Sequence, residues 1–424
     1  MADLIGGIAP YLGRNNLIFG TGDADNIYGD PYTEGNFEGL PPNAGILSSG
    51  KGGSDLLFGF GGGDTIVGDA GLISGTGRGG NDLILGGDGD DPFLIGDADN
   101  DMSENARGGH DQIEGGTGDD GLFGDSGNSM SGSARGGCDH LDGGLGDDLV
   151  VGDAYLVISG NAQGGDDRAH GGQGDDRLIG DAWAGGGGPG LIDHARGGDD
   201  WLWGDAGDDR IQGDASVRLS GFARGGNDAL FGGSGSDQLF GDAWLFDSTR
   251  GGNDYLNGGN GDDFLYGDDF FIADNATAGN DRLLGGVGND FLTGDGYAVS
   301  GSARCGADVL VGGIGNDRLC GDANPADAGT DLTNVTRGHD RFVFANGSGL
   351  DTILDFQNDF DQIDLRGFAG IESFSDLSPA NVAQVGSDTV IDLGAAAGGA
   401  GGVNVLSLLG FNAVNLDAGD FLFG

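Results

Sequence analysis

The amino-acid sequence predicts an all-β fold, a parallel β-roll or β-solenoid built from short glycine-aspartate repeats. Three observations support this fold class. Glycine accounts for 98 of the 424 residues, the formal net charge is −51, and apolar residues still make up 37% of the chain. High charge with abundant glycine is typical of disorder, but here Leu, Ile, Val and Phe recur at regular intervals. Periodic self-similarity indicates a solenoid, in which each repeat buries its apolar face against its neighbours.

The repeats have a constant internal plan. Ten of them begin near residues 50, 77, 106, 134, 162, 195, 223, 249, 276 and 303, mostly 26 to 29 residues apart, with one spacing of 33. The repeat from 223 contains three nine-residue words: the first word ARGGNDALF, the second word GGSGSDQLF and the third word GDAWLFDST. The first two words share Gly at the fourth place, Asp at the sixth and Leu at the eighth, whereas the third word lacks the sixth-place Asp. A shorter copy, GTGDADNIY, precedes the array at 20–28.

Each nine-residue word has a direct physical interpretation. Glycine permits the positive φ angles of a tight turn and lets backbone carbonyls approach a common centre. The three residues after the aspartate form a very short strand, and we expect its central Leu to point into the core.

The acidic residues are of one kind, which points to metal binding. Of 69 acidic residues only five are Glu, so 64 are Asp. Stacked coils of a solenoid lie ~4.8 Å apart, and at an effective dielectric of ~20 two like charges at that distance repel by about 3 kcal/mol. A divalent cation between coils reverses the sign, and carboxylate and carbonyl oxygens are the ligands that Ca²⁺ prefers. We therefore expect a chain that folds only with metal, and a poor partner for nucleic acid, whose phosphates it would repel.

Four second words carry a resemblance to a known family. GGDGDDPFL (86–94), GGTGDDGLF (115–123), GGQGDDRLI (171–179) and GGNGDDFLY (258–266) are similar to the RTX, or hemolysin-type, calcium-binding nonapeptide GGxGxDxUx. The resemblance covers roughly residues 15–325. It implies a parallel β-roll that holds multiple Ca²⁺ ions in its turns, between aspartate carboxylates and glycine-turn carbonyls.

Carried over by position, the resemblance implies one calcium ligand in each of the first and second words. In the first words these are Asp55, Asp82, Asp111, Asp139, Asp167, Asp200, Asp228, Asp254, Asp281 and Asp308. In the second words they are Asp64, Asp91, Asp120, Asp148, Asp176, Asp209, Asp237, Asp263, Asp290 and Asp317, with Asp25 in the shorter copy.

The third word departs from the family pattern and leaves the coil size open. The family's two-sheet roll, with two nine-residue half-turns per coil, is the preferred interpretation. The alternative is a three-sided solenoid with one repeat of ~28 residues per coil. In that case a column of basic residues would face the third-word aspartates. We hypothesise that Lys51, Arg78, Arg107, Arg135, Arg196, Arg224, Arg250 and Arg304 pair with Asp69, Asp97, Asp125, Asp153, Asp181, Asp214, Asp242, Asp268, Asp295 and Asp322.

The chain divides into three predicted parts: an N-terminal cap with a partial repeat and an insert (1–50), the repeat solenoid (51–325) and a C-terminal region (326–424). From about 337 the glycine-aspartate rhythm stops, and the following segment is similar to the region that closes the roll in serralysin-type proteases. That resemblance implies a solenoid cap leading into a signal for a type I secretion apparatus. No cleavable signal peptide and no apolar run of the ~18 residues needed for a spanning helix are visible. We expect a secreted, extracellular protein.

No catalytic residues are predicted, and the chain is not expected to be an enzyme. It has neither an HExxH helix nor a GxSxG elbow. The predicted function is a calcium-binding protein with a structural, cell-surface or matrix role, with possible self-association. The alternative is a solenoid enzyme that acts on polysaccharides, or a glycan-binding adhesin that uses Trp183, Trp201, Trp203 and Trp244, although buried filler is the preferred role of these tryptophans.

We expect surface positions for His110, His140, His170, His194 and His339, and no disulfide framework among Cys138, Cys305 and Cys320.

Overall fold

The computed structural model describes residues 2–5, 15–30, 45–184, 187–324, 330–377, 380–399 and 404–424. The chain divides into two compact units, Met1–Ala229 and Leu230–Gly424. Within the described ranges the regular structure is almost entirely β-strand. The helical elements there are one α-helical turn, Leu393–Ala396, and three 3₁₀ turns, Phe374–Asp376, Ala413–Asn415 and Ala418–Asp420. The all-β parallel solenoid is confirmed.

The first compact unit is a solenoid with three parallel β-sheets, one on each face. The first words form the column that we call the first face, with strands Leu17–Phe19, Leu56–Gly61, Leu83–Asp88, Gln112–Thr117, His140–Leu145, Arg168–Gln173 and Trp201–Ala206. The second words form the second face, with strands Ala2–Ile5, Asp25–Tyr28, Thr65–Val67, Phe93–Ile95, Gly121–Phe123, Leu149–Val151, Arg177–Ile179 and Arg210–Gln212. The third words form the third face, with strands Ile46–Lys51, Leu72–Arg78, Ser129–Met130, Val157–Ile158 and Arg218–Leu219, joined by isolated bridges.

The second compact unit repeats this plan. Its first face contains Ala229–Ser234, Tyr255–Asn260, Arg282–Val287, Val309–Ile314, Arg341–Ala345, Gln362–Gly367 and Phe421–Leu422. Its second face contains Gln238–Phe240, Phe264–Tyr266, Phe291–Thr293, Arg318–Cys320, Leu350–Ile353 and Val405–Leu408, followed by Asp388–Asp392 and Val382–Val385, which pair antiparallel. Its third face contains Trp244–Leu245, Phe271–Ile272 and Ala298–Val299.

Strand register shows that one whole repeat makes one coil. On the first face Ile113 lies between Ile84 and Leu141, and on the third face Met102 pairs with Met130. Like words therefore stack on like words within each compact unit, which is the three-sided alternative. The preferred two-sheet roll with two half-turns per coil is wrong. The physical reason is that the third word is a full side of the coil with its own inward residue, rather than a connection.

Three inward columns of apolar side chains form the core. In the first compact unit the first face contributes Ile84, Ile113 and Leu141, the second face Leu94 and Leu122, all fully buried, and the third face supplies Ile73, Met102, Met130 and Ile158. Apart from Leu94, the ninth residue of its word, these are the eighth-place residues of the first two words and their third-word counterparts, so the predicted inward apolar residue is confirmed. Each interior column is one side chain wide, so the core is thin and buries few atoms per coil.

Candidate metal centre

The sixth-place aspartates of the first words form a buried ladder along the solenoid. The backbone N–H of Asp55 donates to Asp82 Oδ1 in the next coil at 2.6 Å, and the same bond links each successive pair through to Asp228, at 2.6 to 2.8 Å. In the second compact unit the ladder runs from Asp254 through Asp281 and Asp308 at 2.7 to 3.0 Å. One carboxylate oxygen of each ligand candidate is thus fixed by the neighbouring coil.

The sixth-place aspartates of the second words form a second ladder with the same hydrogen bond, from a backbone N–H to Oδ1 in the next coil. Asp25 N–H donates to Asp64 Oδ1 at 2.6 Å, and the bond repeats through Asp91, Asp120, Asp148, Asp176 and Asp209 at 2.7 to 2.8 Å. In the second compact unit it links Asp237, Asp263, Asp290 and Asp317 at 2.9 to 3.0 Å. All of these side chains are at most 3% exposed.

The other oxygen of most of these carboxylates is buried without a hydrogen-bond partner. This holds for Oδ2 of Asp55, Asp82, Asp111, Asp139, Asp167, Asp200, Asp281 and Asp308 in the first words, and of Asp64, Asp91, Asp120, Asp148, Asp176, Asp290 and Asp317 in the second words. A buried carboxylate oxygen without a partner costs several kcal/mol, on the order of an unmade charged hydrogen bond or more. So regular a series of such oxygens indicates that an ion completes the arrangement.

Backbone carbonyls converge on the same unpartnered oxygens. A methyl group added at Gly96 would lie 2.0 Å from the Gly124 carbonyl oxygen and 2.2 Å from Asp111 Oδ2. At the second-word turn, a methyl group at Gly115 would lie 2.5 Å from the Gly143 oxygen and 2.6 Å from Asp120 Oδ2. Glycine at these places lets a carboxylate and a carbonyl of the adjacent coil approach the backbone together, which supplies the all-oxygen environment of a Ca²⁺ site.

Burial raises the pKa of these carboxyl groups, because a charge is costly away from water. Burial raises the pKa of Asp120 and Asp148 to about 7 and that of Asp91 and Asp176 to about 6, with neighbouring aspartates adding to the effect. In the first words burial and the charge of Asp69 raise the pKa of Asp82 well above its usual range. Because the pKa of these carboxyl groups is raised, binding of a cation would displace protons from them. The residues present fit calcium by charge, burial and ligand chemistry.

All the aspartates predicted as ligands lie in one of the two ladders, but the ladders are longer than predicted. Asp308 N–H donates to Asp340 Oδ1 and Asp340 N–H to Asp361 Oδ1, while Asp317 N–H donates to Asp351 Oδ1. Asp340, Asp351 and Asp361 were missed because they lie beyond the glycine-rich words. GHDRF, GLDTI and DFDQI each keep an aspartate two residues before a buried apolar strand residue, Phe342, Ile353 or Ile363, and that signal could have found them. At the other end Asn16 occupies the position of a first-word aspartate, since its N–H donates to Asp55 Oδ1.

The hypothesis that the basic column neutralises the third-word aspartates is wrong. Lys51 and the seven arginines of that column are exposed, and within the described chain none of them forms an ion pair. Arg78, Arg107 and Arg135 instead lie directly over one another on the outer surface. The third-word aspartates point inward: Asp69, Asp97, Asp125, Asp153 and Asp181 are fully buried. The basic side chains and the third-word aspartates therefore lie on opposite sides of the coil wall.

The tryptophans differ from the preferred expectation. Trp201 is 48% exposed on the outside of the first face, so a buried filler role is wrong for it. It lies 5.8 Å from Trp203, whose ring stacks on His170 at 4.5 Å. Trp183 packs against a second-face core cluster that contains Ile179. Of the histidines, His170 is partly buried and the other four are exposed. All three cysteines are free.

Comparison with known proteins agrees with the geometry. No helix in the described part of the chain is long and apolar enough to cross a membrane. The curated proteins contain no match to the chain. The family model of the RTX calcium-binding nonapeptide repeat (4 copies) matches more than half of the chain, at residues 12–31, 48–71, 105–130, 133–154, 161–182, 194–216, 222–243, 248–270, 275–296 and 306–324. Proteins with these repeats are typically calcium-binding, structural and secreted. The chain belongs to the RTX calcium-binding repeat family.

Proposed function

We propose that the protein is a secreted calcium-binding protein that folds outside the cell as its aspartate ladders take up several Ca²⁺ ions, and that the folded solenoid has a structural role at a cell surface or in a matrix. The observation that carries the proposal is the double ladder, in which one oxygen of each aspartate is fixed by a backbone N–H and the other is buried without a partner. The first- and second-word aspartates are the proposed ligands.

The proposal links location to folding through calcium concentration. Where calcium is scarce, stacked carboxylates repel and a thin core does not offset that repulsion. Where calcium is millimolar, each bound ion stabilises the folded chain by mass action. The chain would therefore stay unfolded before export and fold after it. No catalytic group is part of this proposal.

We further propose that residues 326–424 carry the signal for a type I secretion apparatus, beyond the 1–50 cap and the 51–325 solenoid. The experiment fuses residues 326–424 to a reporter in a host that has such an apparatus. We expect the reporter in the medium. A reporter that stays in the cell, while a fusion with an established type I signal is exported, would refute this assignment.

Glycan binding is a second candidate, favoured by one observation: the exposed ring of Trp201 lies beside the partly buried Trp203, whose ring stacks on His170. Flat aromatic rings on a surface suit sugar rings, which present apolar C–H faces. The test compares a Trp201→Ala/Trp203→Ala variant with Phe222→Ala on a polysaccharide array, because Phe222 is 59% exposed and lies elsewhere. Loss of binding in the tryptophan variant alone supports this function, and equal binding by wild type and both variants rejects it.

A further inference from the structure

The third-word aspartates form a third buried column that the nonapeptide motif does not contain. Their carboxylates accept hydrogen bonds from the second glycine of the next first word: Gly80 N–H donates to Asp69 at 2.5 Å, and Gly198 N–H donates to Asp181 at 2.9 Å. Further oxygens of Asp69, Asp97, Asp181 and Asp295 are buried without a hydrogen-bond partner. These side chains are 0% exposed.

This column lies beside the first-word ladder, so one corner of the coil contains two buried carboxylates per repeat. A methyl group at Gly68, the residue before Asp69, would lie 2.1 Å from Oδ2 of the first-word Asp82. A methyl group at Gly108 would lie 1.6 Å from Asp125 Oδ1 and 2.8 Å from Asp97 Oδ2, so consecutive third-word carboxylates converge on the same glycine. Two carboxylates in contact need a shared proton or a cation between them.

One coil of the second compact unit supplies that cation from the protein itself. Arg337 occupies the place of the first glycine of a first word, since Gly338 and Asp340 follow it as Gly226 and Asp228 follow Gly225. Its Nε lies 2.6 Å from Asp322 Oδ2 and its Nη2 lies 3.2 Å from Asp355 Oδ2. In the following coil the strand register places Asp355 opposite Gly321, directly before the third-word position, and its carboxylate accepts the N–H groups of Gly321 and Asp322. The guanidinium thus bridges the third-word aspartate Asp322 and the carboxylate of Asp355 in the following coil.

The preceding coil shows that this backbone place directs a side chain to the same carboxylates. Cys305 replaces the first glycine there, and its sulfur and the carboxylate oxygens of Asp295 and Asp322 all lie within 4.8 Å of one another. Coils with glycine at this place have no room for a side chain: a methyl group at Gly79 would lie 1.5 Å from Asp97 Oδ1. Within the described chain, no basic side chain forms an ion pair with Asp69, Asp97, Asp181 or Asp295.

We propose that the third-word aspartates, together with the adjacent first-word aspartates, hold an additional file of divalent cations, one between each pair of consecutive coils within a compact unit, and that Arg337 ends this file in the second unit by occupying its last position. The third word adds one buried carboxylate per coil beside the first-word ladder, and a further cation would offset its charge. The inference rests on the proposed calcium-dependent folding and adds ligands to it.

The experiment counts the calcium ions bound to the full-length protein refolded in calcium chloride, by native mass spectrometry. Asp97→Asn removes one ligand of the file without changing side-chain shape, and we expect at least one ion fewer than in wild type. Its matched control is Asp90→Asn in the same repeat, which makes the same charge change at an exposed side chain, and we expect the wild-type count.

A substitution of Arg337 is expected to increase the number of bound ions rather than to decrease it. Arg337→Gly restores the glycine of the other coils and is expected to bind one ion more than wild type. Arg337→Lys, which keeps a cation, and Arg304→Gly, which removes an exposed arginine, are expected to keep the wild-type count. Wild-type counts in both Asp97→Asn and Arg337→Gly would overturn the file and leave the proposed function intact. A wild-type chain that binds no calcium would overturn the proposed function itself.

Discussion

At the scale of single residues, the two carboxylate oxygens of a ladder aspartate have different roles. In Asp139, Oδ1 accepts the N–H of Asp111 and fixes the register between coils, while Oδ2 is buried without a partner. Glu would place its carboxylate one methylene farther from the backbone and could not reach the adjacent N–H in the same way. This division explains why each of the predicted ladder positions is Asp and none is Glu.

Asp139→Asn is expected to raise the calcium concentration at the midpoint of folding and to lower the free energy of unfolding in millimolar calcium by roughly 1–3 kcal/mol. The amide keeps an oxygen for the ladder but removes the charge that binds the cation. Asp147→Asn, at an exposed position of the same repeat, is the matched control and is expected to change that free energy by less than about 0.5 kcal/mol. Equal midpoints for the two variants, measured by circular dichroism during calcium titration, would contradict the ligand role.

Arg107→Gln tests the exposed basic column. Since Arg107 lies between two like charges and forms no ion pair in the described chain, we expect the free energy of unfolding in calcium to change by less than about 0.5 kcal/mol. Urea unfolding in excess calcium is the measurement. A loss above about 1 kcal/mol would restore the pairing hypothesis that the structure rejects.

At the scale of strands, the eighth-place side chain determines how well a coil packs. Leu141 is fully buried between its counterparts in adjacent coils, whereas Leu145, at the end of the same strand, is 45% exposed. Leu141→Ala is expected to cost about 2–5 kcal/mol in urea unfolding with excess calcium, because it leaves a cavity in a core one side chain wide. Leu145→Ala should cost less than about 0.5 kcal/mol. Similar losses in both variants would mean that the inward column does not stabilise the solenoid.

The sequence is sufficient to predict the words, the short strands and the inward Leu, because each follows from local spacing. It does not determine the coil size, since first and second words are so alike that stacking every two words or every three satisfies the same pattern. The direction of the third-word aspartates depends on that coil size, so Asp97 could not be assigned to the interior. Arg337 was missed because it follows a run without the glycine rhythm, and the strand register places it opposite Cys305, at the place of the first glycine of other first words.

At the scale of the whole molecule, the formal charge of −51 counts every carboxyl group as ionised. Burial raises the pKa of Asp55, Asp120 and Asp148 to about 7 from an ordinary value of 3.8. The folded, calcium-free chain therefore binds more protons than the unfolded chain between these two pH values, and its stability falls as pH rises through that window.

Without calcium, lowering the pH from about 8 to about 5.5 is expected to increase strand content, because protons then neutralise the buried carboxylates. With calcium the trend reverses: protons compete for the ligands, so the midpoint calcium concentration is expected to rise as pH falls. Far-UV circular dichroism in a chelating buffer and in calcium titrations at both pH values measures the two effects. Strand content in chelator that rises with pH would contradict the buried, unpartnered state of the ladders.

The most direct test of the central claim is far-UV circular dichroism of the full-length protein, first in chelator at neutral pH and then during titration to millimolar calcium. We expect a largely disordered spectrum in chelator and a cooperative gain of strand signal as calcium is added, reversed by fresh chelator. A strand signal of equal size with chelator and with calcium would contradict the account, because the buried carboxylate ladders would then be stable without a cation.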